Sequence, residues 1–265
     1  DFLATPDNWC RPVFLANGPD GALYMCDMYR ATIEHPVYLP EEIRGSADFE
    51  GGKDCGRIYR ITSKDVKRKA EKVNTNNLPY LLDSQNGWLS DTAQRLILES
   101  GNTNPLGFGD ARPGPARQTK SLYLHLSLGT LNDELLVSGV HSGSETTREH
   151  ALRIARTFVK DRAKLADLAL ASIADSDPRV RFVAALALGD AQDPRGAEAL
   201  ARFAASSVSD DWMQAAALSS AGFDFKTFAT LFVKNTDRNA PEFAGAAESI
   251  ARTLAVSSGP EAIRP

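Results

Sequence analysis

Two stretches about thirty residues apart, EHALRIARTF from Glu149 and RFVAALALGD from Arg181, are written to one template. Each is a helix-period run of small and branched apolar residues behind a turn signal and a charged first turn. The second is the cleaner copy. Asp177-Pro178 predicts the cap and first residue of a helix, and Arg179 and Arg181 are expected to face water. Val180, Ala184, Leu186 and Leu188 recur at helical spacing before Gly189 ends the run. Placing Arg181 on Arg148 puts Ala184 on Ala151 and Ala187 on Ile154, an offset of 33. A forward step of 32 carries Val180 to Trp212, Ala184 to Ala216 and Leu186 to Leu218. Two helices per unit at a period of roughly thirty to forty residues point to an α-solenoid, which offers an extended surface and rarely carries catalysis.

The register extends backward through TKSLYLHLSLG (119–129) and GWLSDTAQRLILESG (87–101). Partner helices are expected at 132–141, 162–174, 195–207 and 225–234, with a last helix over 241–256 closing the stack. That gives four to five helix pairs, more than the roughly three such a stack needs. Abundant alanine suits close helix approach, because small side chains let ridges sit deep in neighbouring grooves. An ordinary helical bundle is the alternative. Leu186 is expected to face the seam shared by neighbouring repeats.

The first 72 residues are a different material. RPVFLANGPDGALYMCDMYR (11–30) reads as strand, turn, strand, with Asp20-Gly21 supplying the hairpin signal. GRIYRIT (56–62) reads as a third strand, and a long loop from about Ala31 to Asp54 lies between. The expected division is a β segment over 1–72 and a helical repeat domain over 73–265. Three strands bury little area, so the face carrying Val13, Leu15, Leu23 and Ile58 is expected to pack on the first helices.

Composition excludes several classes. A net charge of −4 argues against a sequence-independent grip on nucleic acid. No apolar run approaches the eighteen or so residues that cross a bilayer, and no signal peptide opens the chain. The basic run Lys64, Lys67, Arg68, Lys69 and Lys72 reads as a solvated linker, and GNTNPLGFGDARPGPAR (101–117) as a second one. Cys10, Cys26 and Cys55 leave room for one disulfide in the strand region without requiring it. Trp9, Trp88 and Trp212 read as core anchors.

No catalytic constellation is legible: no nucleophile elbow, phosphate loop or dinucleotide fingerprint is present. His125 and His150 read as satisfied inter-helix histidines. The long loop gathers Glu34, His35, Glu41, Glu42, Asp48, Glu50 and Asp54 in sequence. Six carboxylates could serve a calcium ion, which takes six to eight oxygens, but their spacing matches no calcium-loop pattern. Glu34, His35, Asp48, Glu50 and Asp54 are therefore the weak metal candidates, and no catalytic or cofactor-binding residue is assigned.

The order Arg11-Pro12-Val13, then GPDGALYMCDMYR, IEHPVYLPEE and GRIYRI resembles the last β-propeller blade of the membrane-bound dehydrogenase family of planctomycetes, verrucomicrobia and related marine bacteria. NGWLSDTAQRLILE (86–99) and EHALRIA (149–155) look like that family's post-propeller segments, so the likeness covers nearly the whole chain. It implies a propeller similar to soluble quinoprotein sugar dehydrogenases, a HEAT-like helical region after it, and often a terminal cytochrome c domain. The parent protein would then use a quinone, calcium and haem c in the periplasm or outside the cell. None of those sites carries over: one blade closes no propeller, and no paired cysteines precede a histidine. The opening at Asp1, just before a strand, looks like a cut through a longer protein. The expected fold is mainly α, a HEAT-like α-solenoid with a small N-terminal antiparallel β segment, and no cofactor is expected in this chain. Two function classes follow. One is a non-catalytic scaffold from a larger periplasmic dehydrogenase, bound to a protein partner or the rest of its own chain; the other is a free-standing interaction module with a β cap.

Overall fold

The computed structural model describes residues 2–65, 69–102 and 113–258. Most of the 101–117 linker, and Lys67 and Arg68 of the basic run, lie outside the described residues. The chain divides into two compact units, Asp1–Asn102 and Thr103–Pro265.

In the first unit, β1 (Pro12–Asn17), β2 (Leu23–Asp27) and β3 (Arg57–Ile61) form an antiparallel sheet in that order. The hairpin between β1 and β2 turns on Gly21, whose φ of 68° is the positive value that glycine adopts without strain. A short helix α1 (Glu41–Arg44) lies in the long loop, and α2 (Leu78–Leu81) and α3 (Gly87–Ser100) complete the unit. Asn86 caps α3 by accepting from the Trp88 N–H at 3.0 Å, and its own Nδ2 donates to the Pro19 carbonyl at 3.2 Å. One side chain thus starts the helix and fixes it to the hairpin.

The apolar sheet face is not covered as expected. Val13, Leu15 and Ile58 are all more than half exposed, and of the sheet's large apolar side chains described only Met25 is deeply buried. The register gives the reason. Cys26 pairs with both Phe14 and Ile58, while Met25 pairs with Leu15 and Tyr59. Directly opposed residues share a face, so Ile58 lies with Phe14 and not with Leu15. Apolar residues stand on both faces, and α3 packs on the edge strand β1.

The second unit is an α-solenoid. Four pairs, α4 (Pro115–Ser127) with α5 (Asp133–Val140), α6 (Glu145–Phe158) with α7 (Arg162–Ser172), α8 (Pro178–Ala191) with α9 (Arg195–Ser206) and α10 (Asp211–Ser220) with α11 (Phe225–Asn235), are followed by α12 (Phe243–Ser258). The even-numbered helices form one row, in which α6 packs on α4 and α8, and α8 on α10. The odd-numbered helices α5, α7, α9 and α11 form the other. Leu122, Leu136, Leu152, Val180, Leu188, Leu200 and Phe228 are fully buried between the rows. Small residues set the spacing. A Cβ on Gly139 would stand 2.9 Å from Leu122 and 3.0 Å from Ala151, so α5 approaches α4 and α6 more closely than a larger residue permits.

The repeat is held by two devices spaced 33 residues apart. Ser144, Asp177 and Asp210 cap α6, α8 and α10 with their side chains. Four residues on, Arg148 Nη1 donates to the Ser142 carbonyl at 3.0 Å, Arg181 Nη1 to Asp175 O at 2.7 Å, and Gln214 Nε2 to Ser207 O at 3.1 Å. The loops entering α6, α8 and α10 are therefore each latched to their own helix, satisfying a carbonyl that a solenoid corner would otherwise leave to water. One latch also joins neighbouring repeats. Arg148 holds Asp175 with two bonds, Nε to Oδ2 at 2.7 Å and Nη2 to Oδ1 at 2.8 Å.

Five sequence expectations need correction. The step from α8 to α10 is 33 rather than 32, so Trp212 falls on Arg179 and Met213 on Val180; Trp212 is 77% exposed and anchors no core. Trp9 is also exposed, while Trp88 is half-buried. Arg181 does not simply face water, because its guanidinium is the latch described above. Gly189 does not end its helix, which runs to Ala191 and stops at Gln192 with φ 52°. A Cβ at Gly189 would lie 2.8 Å from the Ser220 Cα, so glycine is there to let α8 and α10 touch. Leu186 is only half-buried, and the seam is filled by Val183, Ala184, Ala187 and Leu188.

Leu188→Ala should accordingly cost roughly 2–5 kcal/mol in denaturant unfolding, and Leu186→Ala no more than about 1 kcal/mol. Hydrogen exchange on the Leu188 variant should weaken first in α6, α7, α9 and α10, since a solenoid couples only adjacent repeats. Uniform loss from α4 to α12 would contradict this.

The second expectation concerns acid. Hydrogen bonding from Arg148 holds the Asp175 carboxyl below its ordinary value. A group depressed in this way contributes its stability above the unfolded pKa of about 3.9, and loses it as pH falls through the folded value. Asp175→Asn should therefore destabilise the protein at pH 7 by about 1–3 kcal/mol and much less at pH 3. Urea titrations at the two pH values decide it: an equal effect at both would refute the assignment.

Candidate interaction surface

The sheet carries its charge at two points. Asp20 and Asp27 bracket β2, and Arg57 and Arg60 stand on β3. Asp20 Oδ1 accepts from the Ala22 N–H at 3.1 Å, and its Oδ2 from Arg60 Nε at 2.6 Å. Burial alone would raise this carboxyl, but the Ala22 N–H and Arg60 outweigh it and keep the pKa below its ordinary value. Asp27 is buried. Its Oδ1 accepts from Arg11 N at 2.7 Å and Tyr29 N at 2.9 Å, and its Oδ2 faces Arg57 Nε at 3.6 Å. Arg57 in turn lies 3.9 Å over the Tyr29 ring, which meets Trp9 edge-on. Tyr29 sits at a φ of 50° and abuts Gly52, where a Cβ would come within 2.3 Å of the Tyr29 carbonyl. Arg30 Nη1 closes the loop onto the Gly52 carbonyl at 2.5 Å. These carboxylates are pegs that hold the N-terminal segment and the long loop to the sheet. Sequence reasoning passed over them; the signal was two aspartates flanking one strand and two arginines three apart on the next.

Three residues of the acidic loop, His35, Asp48 and Glu50, are used locally. His35 Nδ1 accepts from the Val37 N–H and the ring meets Tyr38. Asp48 accepts from the Glu50 and Gly51 N–H groups, and Glu50 pairs with Lys53. Glu34 and Asp54 are exposed in the same loop. Among the described residues no three histidine, cysteine, aspartate or glutamate side chains converge as metal ligands would. The donor set that calcium requires is thus not assembled by these residues, nor is a haem-attachment pair present in the sequence. Cys10, Cys26 and Cys55 are all free thiols.

The helical unit carries bands of paired charge along its flank. His150 Nδ1 meets the Tyr123 hydroxyl at 2.8 Å across α6 and α4, as an inter-helix histidine should. His125 Nδ1 bonds Thr130 Oγ1 at 2.9 Å, and burial lowers its pKa. Along the surface, ion pairs bridge successive repeats: Asp133 with Lys164, Asp167 with Arg195 at 2.8 Å, and Arg156 with Asp190 at 2.6 Å. Exposed pairs of this kind are each worth little, about 0.2–1 kcal/mol, but they leave the solenoid flank mostly self-neutralised. Trp212 breaks that pattern. It is the one large apolar side chain of the helical unit that is exposed among the described residues.

Among the described residues no helix is long and apolar enough to cross a membrane. Compared with known proteins, the chain matches in two stretches. Residues 1–65, the sheet with its long loop, match a domain of unknown function, DUF7133. No curated protein matches the chain. Residues 134–221, from α5 to the end of α10, match the HEAT repeat model, so the solenoid is HEAT-like through its two central helix pairs and the helix on either side of them.

Proposed function

We propose that this chain is the scaffolding and interaction region of a larger periplasmic dehydrogenase of the quinoprotein type. In this reading the sheet is one blade of a propeller, and the HEAT-like solenoid holds that propeller beside an electron acceptor or another protein partner. The observation that carries the reading is the sheet itself. Phe14 and Ile58 stand uncovered on one face and Leu15 on the other, an arrangement that suits a sheet packed between neighbouring sheets. The solenoid adds support, since HEAT repeats form extended surfaces that engage protein partners. Quinone, calcium and haem c would belong to other parts of the parent protein.

An antibody raised against this chain tests the proposal on fractionated cells of the source organism. The expected result is a periplasmic band well above 28.7 kDa, whose immunoprecipitate oxidises sugars when quinone and calcium are supplied. The 265-residue chain alone should show neither that oxidation nor a haem Soret band. A single native band near 28.7 kDa would overturn the proposal and favour a free-standing interaction module with a β cap.

A further inference from the structure

We propose that the groove between the open edge of β1 and α3 takes a short extended segment of a partner protein, which joins the sheet as a further strand. The proposal concerns the edge of the sheet, whereas the scaffold reading concerns its faces.

The backbone of β1 says which occupant fits. Gly18 N–H donates to the Ala22 carbonyl at 2.9 Å and closes the ladder at the turn. Hydrogen-bonded pairs alternate from there, so Ala16 with Tyr24 and Phe14 with Cys26 face one another across the sheet. The N–H and C=O groups of Leu15 and Asn17 therefore turn away from β2. Among the described residues those groups make no other hydrogen bond, although all six residues of β1 are exposed. Donors and acceptors repeating at every second residue are the template of a neighbouring strand, and only an extended backbone satisfies them together.

The space beside that edge has the matching form. A recess of about 460 Å3 is lined by Phe14, Leu15, Ala16 and Asn17. Side chains alternate between the faces of a strand, so a recess on one face would touch every second residue. This one touches four in succession and runs along the edge. Its far wall is α3, through Trp88 and Thr92 with Asp91 and Arg95. One charge of each sign stands there, so no net charge selects the occupant and the backbone groups do. Phe14 and Leu15 point to opposite faces and are both more than half exposed, so residues on either face of an added strand meet an apolar neighbour. The partner segment is thus uncharged and strand-forming, rich in valine, isoleucine or threonine. A second copy of the chain does not meet the requirement. Two β1 edges pair only where both are open, and α3 packs alongside each.

The test uses the full chain and a synthetic peptide of valine and threonine with a lysine at each end. The control is the same peptide methylated on the backbone nitrogens of its four central residues, which keeps every side chain and removes the donors. Binding is followed by anisotropy of a label on the peptide, and its site by residue-resolved hydrogen exchange. The unmethylated peptide should bind and slow exchange at the Leu15 and Asn17 amides, leaving Phe14 and Ala16, already bonded to β2, unchanged. Methylation should weaken binding by about tenfold or more. Leu15→Pro, which removes one outward N–H without touching the ladder to β2, should weaken it as much, and Leu15→Ala should bind within about threefold of the parent. Should Leu15→Pro fail to fold, the methylated peptide and the exchange pattern decide the matter. Equal binding of the methylated peptide, protection that spares Leu15 and Asn17, or no binding at about 1 mM peptide would each overturn the proposal. So would protection of those two amides by self-association of the chain without peptide, since a second copy would then hold the edge. None of these outcomes touches the mass and location of the native product, so a failed edge and a failed scaffold are told apart.

Discussion

The helical unit depends on one recurring bond, from a side chain four residues past the cap of α6, α8 and α10 back to the loop that delivers each helix. Arg148, Arg181 and Gln214 make that bond at one spacing, behind the caps Ser144, Asp177 and Asp210. A solenoid turns a sharp corner between repeats, and each corner leaves backbone carbonyls without helical partners. Latching them from within the same repeat makes the corner geometry the same each time, which lets identical apolar faces meet repeat after repeat. Asp175 adds the term that differs. It couples its own loop to the preceding helix through Arg148, where the next repeat has Val208 at the corresponding place. Coupling between repeats is therefore uneven, strongest where the guanidinium spans the corner.

The sheet obeys a different constraint. Its strands are aligned by turn chemistry and by carboxylate pegs at each end of β2, and very little of its register comes from burial. This inverts the usual order, in which a hydrophobic face selects the register and polar groups trim it. A sheet built so can hold its shape while exposing apolar side chains on both faces. Asp27 is central here because it holds the chain on both sides of the strand, taking Arg11 and Tyr29 N–H groups on one oxygen. The positive φ of Tyr29 and the glycine at position 52 follow from that closure, since the loop must cross the Tyr29 carbonyl at van der Waals contact.

How much of this was legible in the sequence varies with the kind of signal. Asp177-Pro178 was unambiguous, because a cap and a proline at the first helical position each restrict the backbone on their own. The hairpin at Asp20-Gly21 was equally plain. Periodicity served less well on α8. That helix is covered on several sides, so Val183, Ala184, Ala185, Ala187 and Leu188 are all buried and no narrow stripe distinguishes Leu186 from Leu188. A one-residue slip in the α8 to α10 step followed, and it put Trp212 in a core it never enters. The caps would have corrected it: Asp177 and Asp210 are 33 apart, and capping residues mark register more sharply than apolar ones. Gly189 misled for a related reason, since a glycine that admits a neighbouring helix looks in sequence like one that ends its own.

The end of the stack brings these threads together. A repeat array has to present its last apolar face to something, and natural arrays close with an atypical helix. Here α12 performs that closure with Phe243 stacked on Phe232 and Ile250 buried. Phe232 lies between Phe228 and Phe243 in a run of near-parallel rings, so the odd-numbered row hands its burial directly to the final helix. The even-numbered row is covered less fully, since α12 meets α10 beside a recess lined by Ala215, Leu218 and Ala246. Ser220, which lies against Gly189, fixes α10 tightly on α8, and the ring contacts fix α12 on α11; the two positions are set independently. α12 nonetheless touches α10 as well as α11, and the recess between α10 and α12 is the geometric remainder of two separate packing solutions. The caps explain why this remainder is acidic. Asp210 is committed to the Trp212 and Met213 N–H groups, and Asp211 follows it in the first turn, where the helix dipole favours negative charge. The same preference that starts the helix thus leaves the Asp211 carboxylate among the residues that line the recess.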